Sequence, residues 1–296
     1  MMLGVKNDDY ICPKFVRMEL SDSEFSQIIK VIDENSSYDF GDYSEKSLNR
    51  RLVKVLMDFR IPVSELLFRL ETQPDFLETV VKKITVNTTE MFRDPSVWLD
   101  MQHSIMPVFA NRDVINIWHS GCSTGQEVYS MIILLSELGL LERTNIYASD
   151  LNTDALEKAK NGVYKYRFNL NYLDNFEKVI RPLRNNQSLA KEELYDRYLE
   201  IDAHSDTIHI KPDLLKKPIF AKHDLVNEKC VFDARFDLIL CRNVIIYFNI
   251  HLQNKVFELT HEKLVKDGIL LLGAHESIHG EFLAKYAKQG YYYKKI

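Results

Sequence analysis

From residue 113 onward the chain alternates between short apolar runs of strand length and longer segments with helical spacing. The strand candidates are VINIWHS at 114–120, NIYASD at 145–150, PIFAKHDL at 218–225, FDLILCRN at 236–243 and GILLLGA at 268–274. Between them, EVYSMIILLSELG, TDALEKAKNG and HLQNKVFELTHEKL carry apolar residues at helical intervals. Strands alternating with helices build a mostly parallel sheet covered on both faces, so the expected class is α/β with a doubly wound, Rossmann-like sheet.

Upstream the texture is different. SDSEFSQIIKVIDEN opens on Ser21 or Asp22 as a cap and places Phe25, Ile28, Ile29 and Ile32 on one helical face. SEKSLNRRLVKVLMDFR and VSELLFRLETQPDFLETVVKKI continue in the same way, so residues 1–83 are expected to form a small N-terminal helical domain and residues 84–296 a second domain. One segment interrupts the alternation: the span from Gly162 to Pro218 is too long for a simple crossover. It begins with helical text, NYLDNFEKVI and AKEELYDRYL, and then sets Ile201, Ile208 and Ile210 around a polar HSD. That pattern predicts a β-hairpin in an inserted subdomain at about 194–222.

Composition narrows the function classes. A chain of 296 residues with net charge -5 has ample core but lacks the basic field of a general nucleic-acid binder. No stretch approaches the roughly 18 apolar residues of a membrane span, and MMLGVKNDDY has no apolar signal core, so a cytoplasmic protein without membrane insertion is expected. Cys12, Cys122, Cys230 and Cys241 are scattered without C-x-x-C spacing, which predicts neither a structural metal nor a disulfide framework.

A doubly wound sheet binds ligands beyond the carboxyl ends of its strands, which directs attention to the first turn, HSGCSTGQEVYS. Gly121 and Gly125 let the backbone approach a ligand closely, and the helix starting near Gln126 points free N–H groups at it. About 25 residues beyond Gly125, Asp150 ends the second strand, near the spacing at which a carboxylate reaches a ribose hydroxyl pair. The alternative is a tight turn followed by an Asp helix cap. Glu127, just inside the helix, would repel a pyrophosphate and suits a ligand with a cationic end. The ammonium and sulfonium of S-adenosylmethionine fit that description better than a dinucleotide does. Asp224 is placed to accept from an adenine amino group or to cap its own loop, and Asn243 ends the fourth strand at the same rim.

The segments NTTEMFRD, SGCSTGQEVYS, ASDLNTDALEKAKNGVY, FDLILCRNVIIYF and LLLGAHES resemble, in order and spacing, the motifs of the chemoreceptor glutamate methyltransferases, the CheR family. The resemblance runs from about Tyr43 to the C-terminus. It implies S-adenosylmethionine as methyl donor, S-adenosylhomocysteine as product, and glutamate side chains in the cytoplasmic domains of chemoreceptors as acceptors, in chemotaxis adaptation. By position it puts cofactor contacts on Asn87, Thr89, Arg93, Glu127, Asp150, Asp224, Leu225, Asn243 and Val244. The sequence departs from the family at Gln126, Val128, Asp224 and GAHES, where the family usually has Glu, Pro, Asn and GHSES.

Methyl transfer to a carboxylate needs no general base, because a side chain with pKa about 4.3 is already ionised at neutral pH. The work is alignment and exclusion of water, and an arginine fork can hold a carboxylate at two points. The resemblance assigns that role to Arg93, with Tyr247 as a second donor; without it, Arg93 reads equally as a salt-bridge partner of Asp94 or Glu90. Lys46, Arg50 and Lys54 recur at helical spacing with Arg51 beside them, giving a basic face that the resemblance identifies as a docking surface for acidic receptor helices. The inserted hairpin is expected to add a strand to a receptor tail in some family members.

Three other readings compete. HESIH at 275–279 satisfies the zinc-protease pattern H-E-x-x-H, which requires both histidines one turn apart on a helix. A nucleic-acid methyltransferase would carry a Pro-Pro-Tyr turn where this chain has RNVIIYF. A non-catalytic S-adenosylmethionine sensor would share the same signature residues and separates only by assay.

Overall fold

The computed structural model describes residues 20–36, 38, 40, 41, 43–85, 89–167, 170–184 and 190–296. Ser21 starts the first helix with a capping box: its hydroxyl accepts the Glu24 N–H while Glu24 Oε2 accepts the Ser21 N–H. Four helices follow in order, α1 (Asp22–Asn35), α2 (Glu45–Phe59), α3 (Val63–Thr72) and α4 (Pro74–Ile84). The run at 63–84, continuous in the sequence pattern, is two helices. Proline lacks an N–H and clashes with the carbonyl one turn back, so Pro74 starts α4 instead of continuing α3. Each helix turns an apolar stripe inward, with Ile28, Ile32, Leu48, Leu52, Leu66, Leu70, Val80 and Ile84 all buried. Together these helices make one compact unit, which ends at Ile84.

The second unit begins at Thr85 and also takes in Tyr43 and Ser44. Its elements in chain order are α5 (Pro95–Asp100), β1 (Ile115–Ser120), α6 (Gln126–Glu137), β2 (Thr144–Asp150), α7 (Thr153–Asn161), β3 (Val163–Lys165), α8 (Leu170–Ile180), α9 (Lys191–Tyr195), β4 (Leu199–Asp202), β5 (Thr207–Ile210), α10 (Pro212–Leu215), β6 (Pro218–Lys222), β7 (Phe236–Cys241), α11 (Ile250–Lys263), β8 (Leu264–Leu272), β9 (Tyr286–Gln289) and β10 (Tyr292–Lys295). Seven strands form one sheet in the order β6-β2-β1-β7-β8-β10-β9. The first five run parallel, and the β9–β10 hairpin closes that edge antiparallel. Every residue of β7 is buried, as expected for a strand covered on both faces. Ile132 and Leu135 of α6 belong to the same apolar layer as Ile117 and Leu238, while Phe257 of α11 belongs to the opposite layer with Trp118 and Ile239.

The chain moves outward from β1 through β2 to β6 and then returns to β7 on the other side of β1. Strand order therefore reverses between β1 and β7, and the loops leaving their carboxyl ends part to form a crevice.

The expected hairpin is β4–β5, and it carries a third strand: β3 pairs antiparallel with β5 in a separate sheet, β3-β5-β4. Gly162, at φ +60°, ends α7 and its carbonyl accepts the Ile210 N–H at 2.9 Å, so the chain joins this small sheet directly after the helix. HESIH follows β8 as irregular chain and not as a helix. Its two histidines are therefore not presented one turn apart.

Candidate functional site

The turn after β1 is fastened to the end of β2 by backbone alone. Gly121 N–H and Cys122 N–H both donate to the Ser149 carbonyl, at 2.8 and 2.9 Å. Gly121 and Gly125 adopt φ of +81° and +87°. A Cβ on Gly121 would lie 2.5 Å from Val244 Cγ2, and one on Gly125 would lie 2.8 Å from Ala159 Cβ. Neither position admits a side chain. Asp150 extends the fastening: Oδ2 accepts Ser123 N–H at 2.7 Å and Oδ1 accepts Asn152 N–H at 2.9 Å. Burial pushes the Asp150 pKa up, and these backbone donors oppose that shift. An ionised carboxylate has about four acceptor sites, so the Ser123, Asn152 and Leu151 donors leave Asp150 capacity for a further hydroxyl.

Glu127 is fully engaged from two sides. His119 Nδ1 lies 2.9 Å from Oε1, and Arg242 Nη1 donates to Oε2 at 3.0 Å. Burial would raise the Glu127 pKa, but His119 and Arg242 outweigh it and hold the carboxyl below its ordinary range. Arg242, the first residue beyond β7, has a side chain only 1% exposed. Its Nη2 donates to the Arg93 carbonyl at 3.0 Å and to Asp94 Oδ2 at 2.9 Å, and its guanidinium lies 5.9 Å from the Trp98 ring. Arg242 thus joins two carboxylates, Glu127 and Asp94, through one guanidinium.

Arg93 is partly buried between two residues in the left-handed region, Phe92 at φ +50° and Asp94 at φ +58°. Besides the Arg242 bonds, three contacts support that bend. Phe92 N–H donates to Ser130 Oγ at 2.8 Å; the Phe92 ring packs edge-on against Trp98 and Phe176; and Trp98 Nε1 donates to the Arg93 carbonyl at 3.0 Å. Asp94 is thus a partner of Arg242 through its side chain.

On the opposite rim Asn243 also adopts a positive φ, +59°, a conformation asparagine tolerates better than most residues. It is held by Glu276: Oε2 accepts Asn243 N–H and Gly273 N–H, each at 2.7 Å, and Oε1 accepts Ile246 N–H at 3.2 Å. The central carboxylate of HESIH thereby fastens two strand-end loops together. It is not available as the general base of a zinc protease, and among the described residues no group of three or more His, Cys, Asp or Glu side chains is placed to hold a metal ion.

The remaining expected site residues fall as follows. Asp224 caps its own loop: Oδ1 accepts Val226 N–H and Asn227 N–H, and Oδ2 accepts the Asn227 amide. His223 N–H donates to the Asp150 carbonyl at 3.1 Å, which sets this loop beside the end of β2. Leu225 and Val244 are partly buried against the α11-side apolar layer, and so is Tyr247, whose carbonyl accepts Ser44 N–H. Thr89 is partly buried, and Asn87 lies outside the described residues. Lys46, Arg50 and Lys54 are exposed on α2. Arg51 is not part of that face: it is partly buried and donates to the Ile84 carbonyl and to Ser47 Oγ.

His119, Arg242 and Glu276 are not expected at this site from the sequence, yet each binds an expected site residue, Glu127 or Asn243. The sequence did hold a signal for Arg242, an arginine directly after an all-apolar strand, where an uncompensated charge would not be tolerated.

The crevice fits S-adenosylmethionine on three observations. The glycines at φ +81° and +87° bring the backbone of the turn to the crevice, the Glu127 and Asp150 carboxylates stand on the elements that flank it, and the Ser123 hydroxyl is buried without a hydrogen-bond partner among the described residues. Residues 87–175 and 183–291 match the family model described as CheR methyltransferase, SAM binding domain, and residues 23–85 match CheR methyltransferase, all-alpha domain. Among curated relatives, the Pseudomonas putida protein Cher3, which carries a methyltransferase name, is 36% identical over 259 residues, covering 87% of this chain and 90% of its own. The chemotaxis protein methyltransferase of Listeria monocytogenes is 25% identical over 260 residues (87% and 91% covered), and chemotaxis protein methyltransferase 1 of Vibrio cholerae is 28% identical over 270 residues (88% and 91%).

Proposed function

Because this chain belongs to the CheR methyltransferase family and carries its S-adenosylmethionine-binding domain, we propose that it methylates glutamate side-chain carboxylates of chemoreceptors. When bound, the cofactor supplies a methyl group on a sulfonium, an electrophilic carbon with a neutral leaving group. Glu127 attracts the ammonium end, Asp150 accepts from the ribose hydroxyls, and the loops carrying Asp224, Leu225, Asn243 and Val244 enclose the base. Asn87 and Thr89 complete the cofactor contacts. Arg93 orients the acceptor carboxylate, with Tyr247 as second donor. No residue has to remove a proton, because the acceptor arrives as an anion.

The observation that carries this reading is the family match spanning residues 87–291, with Glu127, Asp150 and Asn243 all following or ending strands at one rim of the sheet. The exposed Lys46, Arg50 and Lys54 of the helical domain serve as a docking surface for acidic receptor helices. Incubation with radiolabelled S-adenosylmethionine and receptor-containing membranes of the source organism tests the whole proposal. Base-labile label on the receptors is expected. Cofactor binding without transfer would identify a sensor instead, and base-stable label would point to another acceptor.

A further inference from the structure

We propose that Arg242 is a positioning residue that locks the Arg93 loop to the cofactor-site carboxylate, so that the loop holds its productive bend only while the Glu127–Arg242 pair is intact. The inference rests on the role given above to Arg93. Arg242 links two parts of the crevice: Nη1 binds Glu127 Oε2 on α6, and Nη2 binds both the Arg93 carbonyl and Asp94 Oδ2 on the loop before α5, whereas the Phe92–Ser130 bond ties the same loop to α6 on the other side of Arg93. The loop needs such a restraint. Left-handed backbone at Phe92 and Asp94 persists only where its surroundings over-determine it. Phe92 is secured by its own burial and by Ser130, whereas the half of the loop beyond Arg93 is held by Arg242 and by the Trp98 indole. One planar fork can serve three acceptors on two elements; a lysine ammonium at the same position has a single nitrogen and cannot reach both.

The test compares Arg242→Lys with the unaltered full-length protein, using S-adenosylhomocysteine as the probe and peptide-resolved hydrogen exchange as the readout. The expected result is an exchange increase of about tenfold or more confined to peptides covering 89–99. S-Adenosylhomocysteine affinity should stay within about threefold, and kcat should fall while KM for S-adenosylmethionine is retained. A merely structural role would instead raise exchange across β1, β7 and α6 together. Unchanged exchange at 89–99 in the presence of S-adenosylhomocysteine would overturn the inference. Should Arg242→Lys fail to fold, Asp94→Asn removes one of the three acceptors at the partly exposed end of the network, and it must show the same local increase or the inference fails. Arg93→Ala separates the two levels. If it keeps full turnover, the reading of Arg93 is wrong; if it is inactive while exchange in the Arg242 variant is unaltered, only the lock is wrong.

Discussion

Arg93 sits on a loop bent at both neighbours, and each left-handed non-glycine residue costs about 1–3 kcal/mol. A chain that sustains such a bend gains from fixing where this side chain points. Arg93→Ala should therefore lower turnover about a hundredfold or more while leaving the thermal midpoint unchanged, a comparison open to calorimetry and a filter assay. Glu127 makes a second prediction at this scale. Its pKa is depressed in the fold, so its contribution to stability is present above the ordinary carboxylate pKa of about 4.3 and disappears as pH falls through the lower folded value. Glu127→Gln leaves Arg242 short of one partner and should cost about 3 kcal/mol at pH 7 in urea unfolding. The gap to the unaltered protein should close as the medium is acidified past the folded pKa of Glu127. Glu276 has the opposite sign, since burial raises its pKa and backbone donors only partly offset this. Stability from that group is fully present below about 4.3 and declines as pH rises through its folded value.

At the scale of elements, the loop between β1 and α6 is the part least able to change. Gly121→Ala meets both a φ of +81° and the Val244 side chain at 2.5 Å, whereas Gly139→Ala meets a φ of +68° with nothing within 4 Å. Both should lose about 1–2 kcal/mol from the backbone alone. Only the Gly121 variant should also lose S-adenosylhomocysteine affinity, because Val244 must move out of the crevice wall to relieve the clash. Titration calorimetry on the pair distinguishes strain from shape. Helix α2 gives a second contrast. Arg50→Glu with Lys54→Glu should weaken binding to purified receptor cytoplasmic domains without altering the melting temperature. Arg51→Ala should lower the melting temperature, since Arg51 holds the last carbonyl of α4.

Across the whole molecule, the order of strands and helices and the break between helical and alternating text near residue 84 are legible in the sequence. Periodicity and turn chemistry are local properties, and each of these features is local. The separation of 63–84 into two helices is equally local, marked by Pro74, but the apolar spacing that continues across it masks the break. Other features had no local trace. β3 is three residues long, too short for alternation to register, and it exists because β5 is there to pair with it. His119 and Arg242 lie far apart in sequence and converge on Glu127 because β1 and β7 are neighbours in the sheet. Glu276 looked like half of a metal motif and proved to be a clamp on two loops. The sequence by itself determined which segments become strands, helices and ligand-facing turns, since those follow from the chemistry of adjacent residues. Only the tertiary structure decided which buried charges neutralise one another. A buried charge must find its partner through space, and the sheet order sets which residues come within reach.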